Sequence, residues 1–413
     1  MAGPPVDFDH HSHEYAADPW SQYAKLRSAC PVAWSDRHGG FWVLSRYEDV
    51  AAVARDDLTF SSRHDIPNDG VAFTGITIPG TPNRSTPIEM DPPEFPKLRR
   101  ILNPPFAPAA IDKLRPRMFA FTDWCLDQVI ESGSIDFITD LANPVPAMAT
   151  LAFLGLDIDQ WESFSWPFHD IVACPPGSKG WNKAQEGIVQ AITAVAVAVA
   201  ERRAHPRDDL LTHFTQVDVD GEKLNDEVIL EICTLILGGG VDTTTALLGH
   251  ALHHLGHDPS ARERIFEDRE LIPLYCEELL RYHTPTQALA RTATRDTVIG
   301  DQHVAKGERV LICWAGANRD PDAFDRPDEL VIDRFPNRHA AFGLGAHRCL
   351  GSNFARAEFT AMLTRVLDRL PDYELVDGAE HYESIGVVNG WHRLPARFTP
   401  GDRTGATLDT DVA

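Results

Sequence analysis

The sequence predicts one mainly α-helical domain with small β-sheets, an α+β fold whose core is large enough to enclose a cofactor. Helical periodicity dominates residues 94–215 and returns over residues 225–255. Strand patterns are short, and no Gly/Ser-rich or Pro-rich linker divides the 413 residues. We therefore expect a single domain over residues 15–400, with disordered ends at 1–14 and 401–413.

The composition is strongly acidic. The chain has 61 Asp and Glu residues against 38 Lys and Arg, which gives a formal net charge of −23. Such a surface repels phosphate backbones, so we expect no nucleic-acid partner. The seven cysteines are an odd count without a Cys-x-x-Cys spacing, which argues against a disulfide framework and against a structural zinc site.

Neither a membrane span nor a secretion signal is predicted. The longest apolar run, residues 191–200, is too short to cross a bilayer, and the N-terminus lacks a basic-then-apolar signal. We therefore expect a cytoplasmic protein. His10, His11 and His13 could bind stray metal, but a frayed polar terminus explains them more simply.

The first part of the chain is predicted to contain two helices and a hairpin. Residues 19–28 and 47–55 have helical patterns, and between them residues 32–34 and 41–44 are typical of the two strands of a β-hairpin. Residues 61–85 are rich in Pro, Gly, Asn and Thr and lack periodicity. A loop of that length inside a compact domain is usually functional.

Residues 225–255 are predicted to form the longest helix, about 45 Å at roughly 1.5 Å per residue. Asn225 can cap its start, and Gly256 followed by Pro259 can end it. Residues 238–240 are all glycine, and each glycine costs a helix about 1 kcal/mol relative to alanine. Poor helix formers at the centre of an apolar helix indicate a functional position, and a close helix crossing at the glycines is the alternative.

A glycine-containing loop surrounds Cys349 and directly precedes a helical pattern. The loop has the sequence Phe342-Gly343-Leu344-Gly345-Ala346-His347-Arg348-Cys349-Leu350-Gly351. Gly343 and Gly345 permit backbone angles that other residues rarely adopt, so amide N–H groups can point at one sulfur. A helix N-terminus also favours thiolate over thiol. A lone thiolate in a shaped loop suits an axial haem ligand rather than a four-ligand zinc site.

These ten residues resemble the haem-binding signature of the cytochrome P450 family, Phe-Gly-x-Gly-x-His/Arg-x-Cys-x-Gly. The resemblance implies a haem-thiolate monooxygenase in which haem b lies between the long distal helix and the helix after the cysteine loop. It implies Cys349 as the iron ligand, with haem contacts from Phe342, Gly343, Gly345 and Gly351. Further motifs follow in the family's order, so the resemblance covers most of the chain.

The middle of the long helix resembles the family's distal motif, Ala/Gly-Gly-x-Asp/Glu-Thr. The resemblance implies that Gly239 and Gly240 open a notch where dioxygen can sit on the iron. It also implies that Thr243 hydrogen-bonds the distal oxygen and that Asp242 relays protons from solvent. An acid and an alcohol at adjacent positions are suited to that task.

Residues 91–100 resemble the family's Asp-Pro-Pro-Glu-His-x-x-x-Arg segment. The resemblance implies that Arg99 pairs with a haem propionate, and Arg291 and His347 match other propionate partners of the family. Phe95 departs from the pattern, because many members have His there. One propionate contact is therefore expected to be missing or supplied elsewhere.

Glu278 and Arg281 resemble the family's Glu-x-x-Arg pair. Residues three apart share one face of a helix, so the two can form an ion pair. Arg334 matches the second arginine that the family links to this pair. The resemblance implies that the three residues brace the cysteine loop, which is a structural role.

Electrons must come from another protein, because the sequence contains no flavin or iron–sulfur motif. The resemblance implies a monomer that uses O2 and receives electrons from a ferredoxin with its reductase. A basic patch on the cysteine side of the haem is expected to dock the acidic ferredoxin, and scattered solvated charges are the alternative. The residues expected to form the patch are Lys97, Arg100, Arg348 and Arg356.

The substrate is expected to be a largely apolar small organic molecule. Position within the family places parts of residues 68–87 and 165–181 at the substrate. The individual residues expected there are Leu235, Gly239, Leu289, Val387 and Val388. Two other functions remain open, a peroxide-driven haem-thiolate enzyme and a non-enzymatic haem-based sensor; the acid–alcohol pair disfavours the first, and no output domain is visible for the second.

Overall fold

The computed structural model describes residues 5–65, 72–81 and 84–408. The helices are His13–Ala17 (α1), Pro19–Ala29 (α2), Tyr47–Arg55 (α3), Glu94–Leu102 (α4), Pro108–Val129 (α5), Pro144–Leu154 (α6), Trp161–Ala173 (α7), Lys179–Ala204 (α8), Leu210–Gln216 (α9), Asp226–Gly240 (α10), Asp242–His257 (α11), Pro259–Glu267 (α12), Leu271–His283 (α13), Trp314–Asn318 (α14) and Ser352–Arg369 (α15). Short helical segments of other types are Arg37–Gly39, Ile138–Ala142 and Ile158–Gln160.

The strands are short, as predicted. They are Val32–Ser35 (β1), Phe41–Leu44 (β2), Phe60–Ser61 (β3), His64–Asp65 (β4), Phe73–Thr74 (β5), Ser134–Asp136 (β6), Asp218–Val219 (β7), Glu222–Lys223 (β8), Ala288–Ala293 (β9), Thr297–Ile299 (β10), Gln302–Val304 (β11), Arg309–Cys313 (β12), Glu374–Leu375 (β13), Glu380–His381 (β14), Trp391–Arg393 (β15) and Pro395–Arg397 (β16). The mainly helical α+β fold class is therefore confirmed.

The largest sheet has five strands in the order β1-β2-β12-β9-β3. β1 and β2 form the predicted hairpin, in which Ala33 pairs with Val43. β12 lies parallel to β2 and antiparallel to β9. All four residues of β2 are buried because both faces of the sheet are covered: Phe41 and Val43 pack in one apolar cluster, and Trp42 and Leu44 pack in another.

A third and larger apolar core is built mainly by helices. Buried residues from α5, α6, α10, α11, α13 and α15 join in this single cluster. α5 packs against α15, and α11 contacts both α13 and α15. This helical core carries the two chain segments that matter for function, the α10–α11 junction and the loop that precedes α15.

The helix predicted over residues 225–255 is interrupted, because α10 and α11 meet at Val241. Asn225 caps α10 as expected, since its side chain accepts a 2.9 Å hydrogen bond from the N–H three residues later. At the interruption, the Thr243 hydroxyl donates to the Gly239 carbonyl at 2.8 Å. Glycines of low helix propensity and a hydroxyl that competes for a helical carbonyl account for the break.

Together α10 and α11 are the one stretch of the described chain that is long and apolar enough to cross a membrane. Nearly half of its apolar window is buried inside the protein, and α11 packs against three other helices of the core. A core helix meets the same criteria of length and composition. Its burial favours the core interpretation, so this stretch is weak evidence for a membrane span.

Within the described residues, parts of both chain ends pack against the body of the protein, whereas disorder was expected there. Phe8 and His10 are almost fully buried against the body of the protein. In the tail, the Asp127 carboxylate accepts backbone hydrogen bonds from Thr404 at 3.0 Å and Gly405 at 2.8 Å. Polar local sequence does not reveal such docking against distant residues. Residues 1–4 and 409–413 of the predicted disordered ends lie outside the described residues.

The predicted loop at residues 61–85 contains one small antiparallel pair, β4 with β5. Residues 66–71 and 82–83 of this loop lie outside the described residues. Ile76 and Ile78 are buried, and the Ile76 carbonyl accepts a 2.6 Å hydrogen bond from the Ala290 N–H of β9. The middle of the loop is therefore attached to the central sheet.

Glu278 and Arg281 on α13 form a fully buried ion pair. Two guanidinium nitrogens of Arg281 donate to the two carboxylate oxygens of Glu278, each at 2.8 Å. Arg334 donates to both of the same oxygens at 3.0 Å. The Val331 N–H and the Asn337 side chain also donate to this carboxylate. These hydrogen bonds offset the free-energy cost of removing the Glu278 carboxylate from water.

The same cluster reaches the segment before the cysteine loop. Arg281 donates to the Asn318 carbonyl at 3.0 Å, and the Asn318 side chain accepts a 2.6 Å bond from the Ala340 N–H. Ala340 in turn accepts a 2.8 Å bond from the Gly343 N–H. These contacts form a continuous path from the ion pair to the loop that carries Cys349.

Replacing Glu278 by alanine is expected to destabilise the protein by about 3–5 kcal/mol, because it leaves the buried Arg281 charge without its carboxylate. Urea unfolding followed by circular dichroism measures the change. Asp112→Ala is the matched control, since Asp112 forms an exposed ion pair with Arg115 at the same three-residue spacing and its loss should cost less than about 1 kcal/mol. Equal effects of the two substitutions would contradict the bracing role.

Candidate active site

The loop before α15 holds Cys349 by a backbone hydrogen bond. The Cys349 N–H donates to the Phe342 carbonyl at 2.7 Å and so closes the loop. Gly343 and Gly345 have positive φ angles of 69° and 73°, which favour glycine. A Cβ on Gly345 would also lie 2.4 Å from the Ala54 carbonyl oxygen. Both glycines are therefore required for the shape of this loop.

The Cys349 side chain is open toward a cavity and enclosed by protein elsewhere. This burial raises the pKa of the Cys349 thiol, against the effects of the Gly351 N–H and of Arg99, Arg348 and Arg356, which lower it. The expectation that the helix N-terminus favours a thiolate is thus outweighed by desolvation in the protein alone. A bound metal ion deprotonates a coordinating thiol, so the sulfur is suited to a metal rather than to solvent.

The cavity is mainly apolar. Its empty volume is about 1570 Å³, which includes the solvent at its open mouth. Its lining comes from α4, α6, α10, α11, α13, α14, α15, β9 and the cysteine loop. Apolar residues that line it include Ile88, Leu102, Phe106, Phe153, Ile232, Leu235, Ile236, Leu247, Leu289 and Phe354. A mainly apolar, concave lining with a few polar groups is typical of a ligand or cofactor site.

Gly239 and Gly240 both line this cavity, but they differ in the space around them. A Cβ on Gly239 would meet no atom within 4 Å, whereas a Cβ on Gly240 would lie 3.1 Å from the Thr150 hydroxyl of α6. The open notch expected from both glycines is therefore supplied by Gly239. Gly240 allows α10 to pack closely against α6, so the alternative of a close helix crossing also holds at this position.

The predicted acid–alcohol pair lies at the α10–α11 junction with its members on different sides. Thr243 lines the cavity. Asp242 is fully buried away from the lining, where one carboxylate oxygen accepts hydrogen bonds from His169 at 2.8 Å and Tyr382 at 2.7 Å. Its other oxygen has no hydrogen-bond partner. The carboxylate is thus reached through His169 of α7 and through Tyr382, which follows β14, rather than from the cavity.

Glu358 is a second buried acid that sequence reasoning missed. It lines the cavity from α15 and accepts a 3.3 Å hydrogen bond from the Thr244 hydroxyl, while its other carboxylate oxygen is unpartnered. Burial raises the pKa of Glu358 well above its usual range. The signal in the sequence was a carboxylate four residues after Phe354, on the apolar face of the last long helix.

Nitrogen donors with few partners surround one end of the cavity. Both ring nitrogens of His347 are buried without a partner, and burial lowers its pKa to about 3. Arg291 is buried with one bond, to the Ala290 carbonyl at 2.8 Å, and burial lowers its pKa to about 10. Arg99 donates to the Arg348 carbonyl at 2.7 Å. Such a donor set suits bound carboxylates.

Phe95 stacks on this group. Its ring centroid lies 4.1 Å from that of His347, and both residues line the cavity. Phe95 therefore supports the His347 ring by contact and contributes no hydrogen bond of its own. The departure from the family pattern removes one polar group and adds apolar packing at the same place.

The expected substrate residues are only partly brought together. Leu235, Gly239 and Leu289 line the cavity. Val387 and Val388 do not line the cavity. Val388 instead pairs with Thr286, which does line it. Residues 165–181 are all described and none of them lines the cavity, whereas Pro87 from the loop expected at 68–87 does. The lining therefore includes the residues expected near Gly239 but not those expected in residues 165–181 or at Val387 and Val388.

Comparisons with known proteins agree with this site. The model of the family described as "Cytochrome P450" matches residues 174–371. Cytochrome P450 109 of Bacillus spizizenii is 32% identical over 397 residues, which cover 94% of each chain. This chain belongs to the cytochrome P450 family.

Other P450s are similar over nearly their full length. Steroid C26-monooxygenase of Mycolicibacterium smegmatis is 31% identical over 384 residues, covering 92% of each chain. The crystal structure of CYP109E1 from Bacillus megaterium in complex with testosterone is 30% identical, with a TM-score of 0.83, and the match covers 94% of this chain and 99% of that one. This P450 is therefore a monooxygenase, of a family that binds haem and uses O2 and redox partners.

The residues of this P450 fit a haem group. The Cys349 sulfur faces a mainly apolar cavity, and the unpartnered His347 nitrogens and the nearly unpartnered Arg291 are available for the haem carboxylates. Phe342, Gly343 and Gly351 line the same cavity, whereas Gly345 shapes the loop from outside the lining. The roles predicted for these residues remain proposals.

The expected basic patch is largely paired with acidic residues. Asp220 in the turn between β7 and β8 lies 2.7 Å from Lys97 and 3.8 Å from Arg100. Arg356 pairs with Glu277 at 2.6 Å and lies over the Phe342 ring. Arg348 is exposed. The sequence pattern did not reveal Asp220 as a partner, because 120 or more residues separate it from the basic pair in the chain.

Replacing Arg291 by methionine is expected to lower haem affinity roughly 10- to 100-fold, the value of one or two charge-assisted hydrogen bonds. The same change should raise the stability of the haem-free protein, because a nearly unpartnered buried charge is removed. Haem transfer to apomyoglobin and urea unfolding of the apoprotein measure the two effects.

Arg309→Met is the matched control for this prediction. Arg309 is half-buried, and desolvation lowers its pKa to about 10 as well, but it donates to the Gly75 and Thr77 carbonyls at 2.9 Å and does not line the cavity. Its loss should destabilise the apoprotein and leave haem affinity unchanged. Unchanged haem affinity in Arg291→Met would contradict the role of Arg291.

Proposed function

We propose that this P450 uses haem b to insert one atom of O2 into a largely apolar small organic molecule. The reaction is C–H hydroxylation or a related oxidation such as O-dealkylation or epoxidation. The observation that carries the proposal is a single apolar cavity lined by the Cys349 sulfur, the open notch at Gly239 and the Thr243 hydroxyl.

Cys349 would hold the haem iron through its sulfur, and Arg99, Arg291 and His347 would hold the haem carboxylates. Haem bound in this way supplies the binding and reductive activation of dioxygen. The loop hydrogen bond from the Cys349 N–H to Phe342 fixes the direction of the sulfur. The apolar lining excludes water from the same space.

Proton delivery would use the residues of the α10–α11 junction. The Thr243 hydroxyl stands at the cavity wall, with its own hydrogen donated to Gly239 at 2.8 Å, so its lone pairs are free to accept. Asp242 would take up protons through His169, which donates to it at 2.8 Å. Glu358 is a second acid at the wall, where burial raises its pKa well above the usual range. Because Asp242 lies behind the cavity wall, protons would reach Thr243 without an opening of the cavity to bulk solvent.

An apolar substrate is supported by the lining and by the relatives. Leu235, Leu289 and Ile236 offer hydrocarbon walls, with few polar groups apart from threonines and the carboxylate partners. The Steroid C26-monooxygenase of Mycolicibacterium smegmatis and the CYP109E1 complex with testosterone support a molecule of that polarity and size.

The remaining partners follow from the same proposal. Electrons would come from a ferredoxin with its reductase, in a cytoplasmic monomer. Lys97, Arg100, Arg348 and Arg356 would form the docking surface, with Asp220 and Glu277 as internal partners of three of them. Pairing lowers the net charge of the surface but leaves guanidinium groups exposed for contact with a carboxylate.

The Thr243→Ala variant tests the monooxygenase mechanism. Substrates are first identified by the shift of the haem Soret band, and product is then measured per reductant consumed. The variant should still consume reductant but form about tenfold less product per reductant, because the hydroxyl that can accept a hydrogen bond at the cavity wall is lost.

Thr234→Ala is the control for Thr243→Ala, since Thr234 makes the same hydroxyl bond four residues back on α10 and does not line the cavity. Cys349→Ser should abolish the thiolate-type spectrum of the reduced carbon monoxide complex. Full coupling in Thr243→Ala would favour a peroxide-driven enzyme. Haem binding without turnover of any compound would favour a sensor.

Charge reversal at Arg100 is expected to slow the first electron transfer from ferredoxin about tenfold at low ionic strength, with the difference shrinking as salt is added. Stopped-flow reduction under carbon monoxide measures the rate. Arg397→Glu is the control, because Arg397 is an equally exposed arginine with its own acidic partner, Glu374. Identical rates for wild type and Arg100→Glu at low salt would reject the docking surface.

A further inference from the structure

Two histidines and an aspartate meet where the N-terminal segment packs on the hairpin turn. One ligand atom each from Asp9, His10 and His38 lie within 4.8 Å of one another. Asp9 and His10 belong to the segment before α1, and His38 lies in the turn between β1 and β2. The expected frayed terminus is thus a structured group of side chains that the monooxygenase function does not use.

His10 has one nitrogen held and one nitrogen free. Its side chain is almost fully buried, at 2% exposure. Nε2 donates to the Ile78 carbonyl at 2.9 Å, and buried Nδ1 has no hydrogen-bond partner. Because Nε2 carries the hydrogen that is donated to Ile78, the lone pair of Nδ1 is available.

His38 and Asp9 complete the group from the solvent side. The Nε2 atom of His38 donates to Asp9 at 2.8 Å, and about a quarter of each side chain is exposed. His38 has a left-handed backbone, with φ at 51°, a conformation that is uncommon for a residue other than glycine. The turn therefore directs this side chain to Asp9 at some cost, and solvent can reach the pair.

We propose that Asp9, His10 and His38 bind one divalent transition-metal ion of the zinc class. Two imidazole nitrogens and one carboxylate oxygen would be the protein ligands, and water would complete the tetrahedron. The metal would take the place of the proton shared by His38 and Asp9. Imidazole ligands favour zinc over the hard cations calcium and magnesium, which prefer oxygen.

The surroundings of the group supply the hydrogen bonds that metal ligands require. A ligating histidine almost always donates its other ring N–H to a carbonyl or carboxylate, and His10 already donates to Ile78. Asp9 also accepts a 2.9 Å bond from the His11 N–H, which orients its carboxylate. His11 itself is satisfied by Ile78 and Ser384, so it is not needed as a ligand.

The position of the site connects it to the long loop. Ile78 belongs to the described segment 72–81, whose Ile76 carbonyl is bound by β9, and Leu289 of β9 lines the cavity. Both His10 and His11 donate to the one Ile78 carbonyl. A metal at His10 would therefore hold the N-terminal segment against this loop and reduce the local opening of both.

Isothermal titration of untagged, chelator-treated holoenzyme with Zn²⁺ tests the site. One equivalent should bind, and Asp9→Asn and His38→Ala should each weaken binding about 100-fold, at the upper end of the 10- to 100-fold loss typical of outer-shell partners. Both positions are part exposed, so the variants are expected to fold. Mg²⁺ should give no heat. Zn²⁺ should also slow hydrogen exchange in peptides covering residues 5–17 and 72–81 of the wild type but not of His38→Ala.

His13→Ala is the matched control, because His13 is exposed in the same histidine-rich segment and does not belong to the group. It should bind zinc like the wild type, and so should His392→Ala, which alters the other candidate group of His169, Asp170 and His392. Absence of binding, binding that survives His38→Ala, or equal loss in His13→Ala would overturn the proposal. The carbon monoxide spectrum of these variants should equal that of the wild type, which separates this test from that of the monooxygenase.

Discussion

Presentation of one sulfur to an apolar cavity is the constraint on which the rest of this structure depends. A thiol in such a place resists ionisation, and burial raises the pKa of Cys349 despite three nearby arginines. A bound metal would favour the thiolate, and the direction of the sulfur is set by the protein alone. The loop hydrogen bond to Phe342, the two positive-φ glycines and the path from the Glu278 ion pair all fix that direction.

The α10–α11 junction brings polar groups to the wall of an apolar cavity. Gly239 leaves room, Thr243 offers a hydroxyl at the wall, and Asp242 remains behind the wall with His169 and Tyr382. The break at Val241 lies at the same place, and a local departure from helical preference is expected at a functional position.

Charge on this acidic protein is organised in pairs. Lys97, Arg100 and Arg356 each meet a carboxylate, and Arg281 is surrounded by acceptors in the core. Buried groups without full partners include Arg291 and His347 at the end of the cavity proposed to hold the haem carboxylates, and His10 in the N-terminal group. Unpartnered polar atoms in a well-paired protein indicate positions prepared for a ligand.

The sequence by itself determined the features that depend on local patterns. The hairpin, α2, α3, the Asn225 cap, the glycine loop at Cys349 and the Glu278–Arg281 pair all follow from residues close in the chain, whose geometry is set by helical or strand periodicity. The tertiary structure decided which distant residues meet. The docking of His10 on Ile78, the contact of Asp242 with His169 and Tyr382, the place of Glu358 at the cavity and the pairing of Lys97 with Asp220 join segments 60 or more residues apart. No local propensity encodes such contacts, because they depend on how whole helices pack.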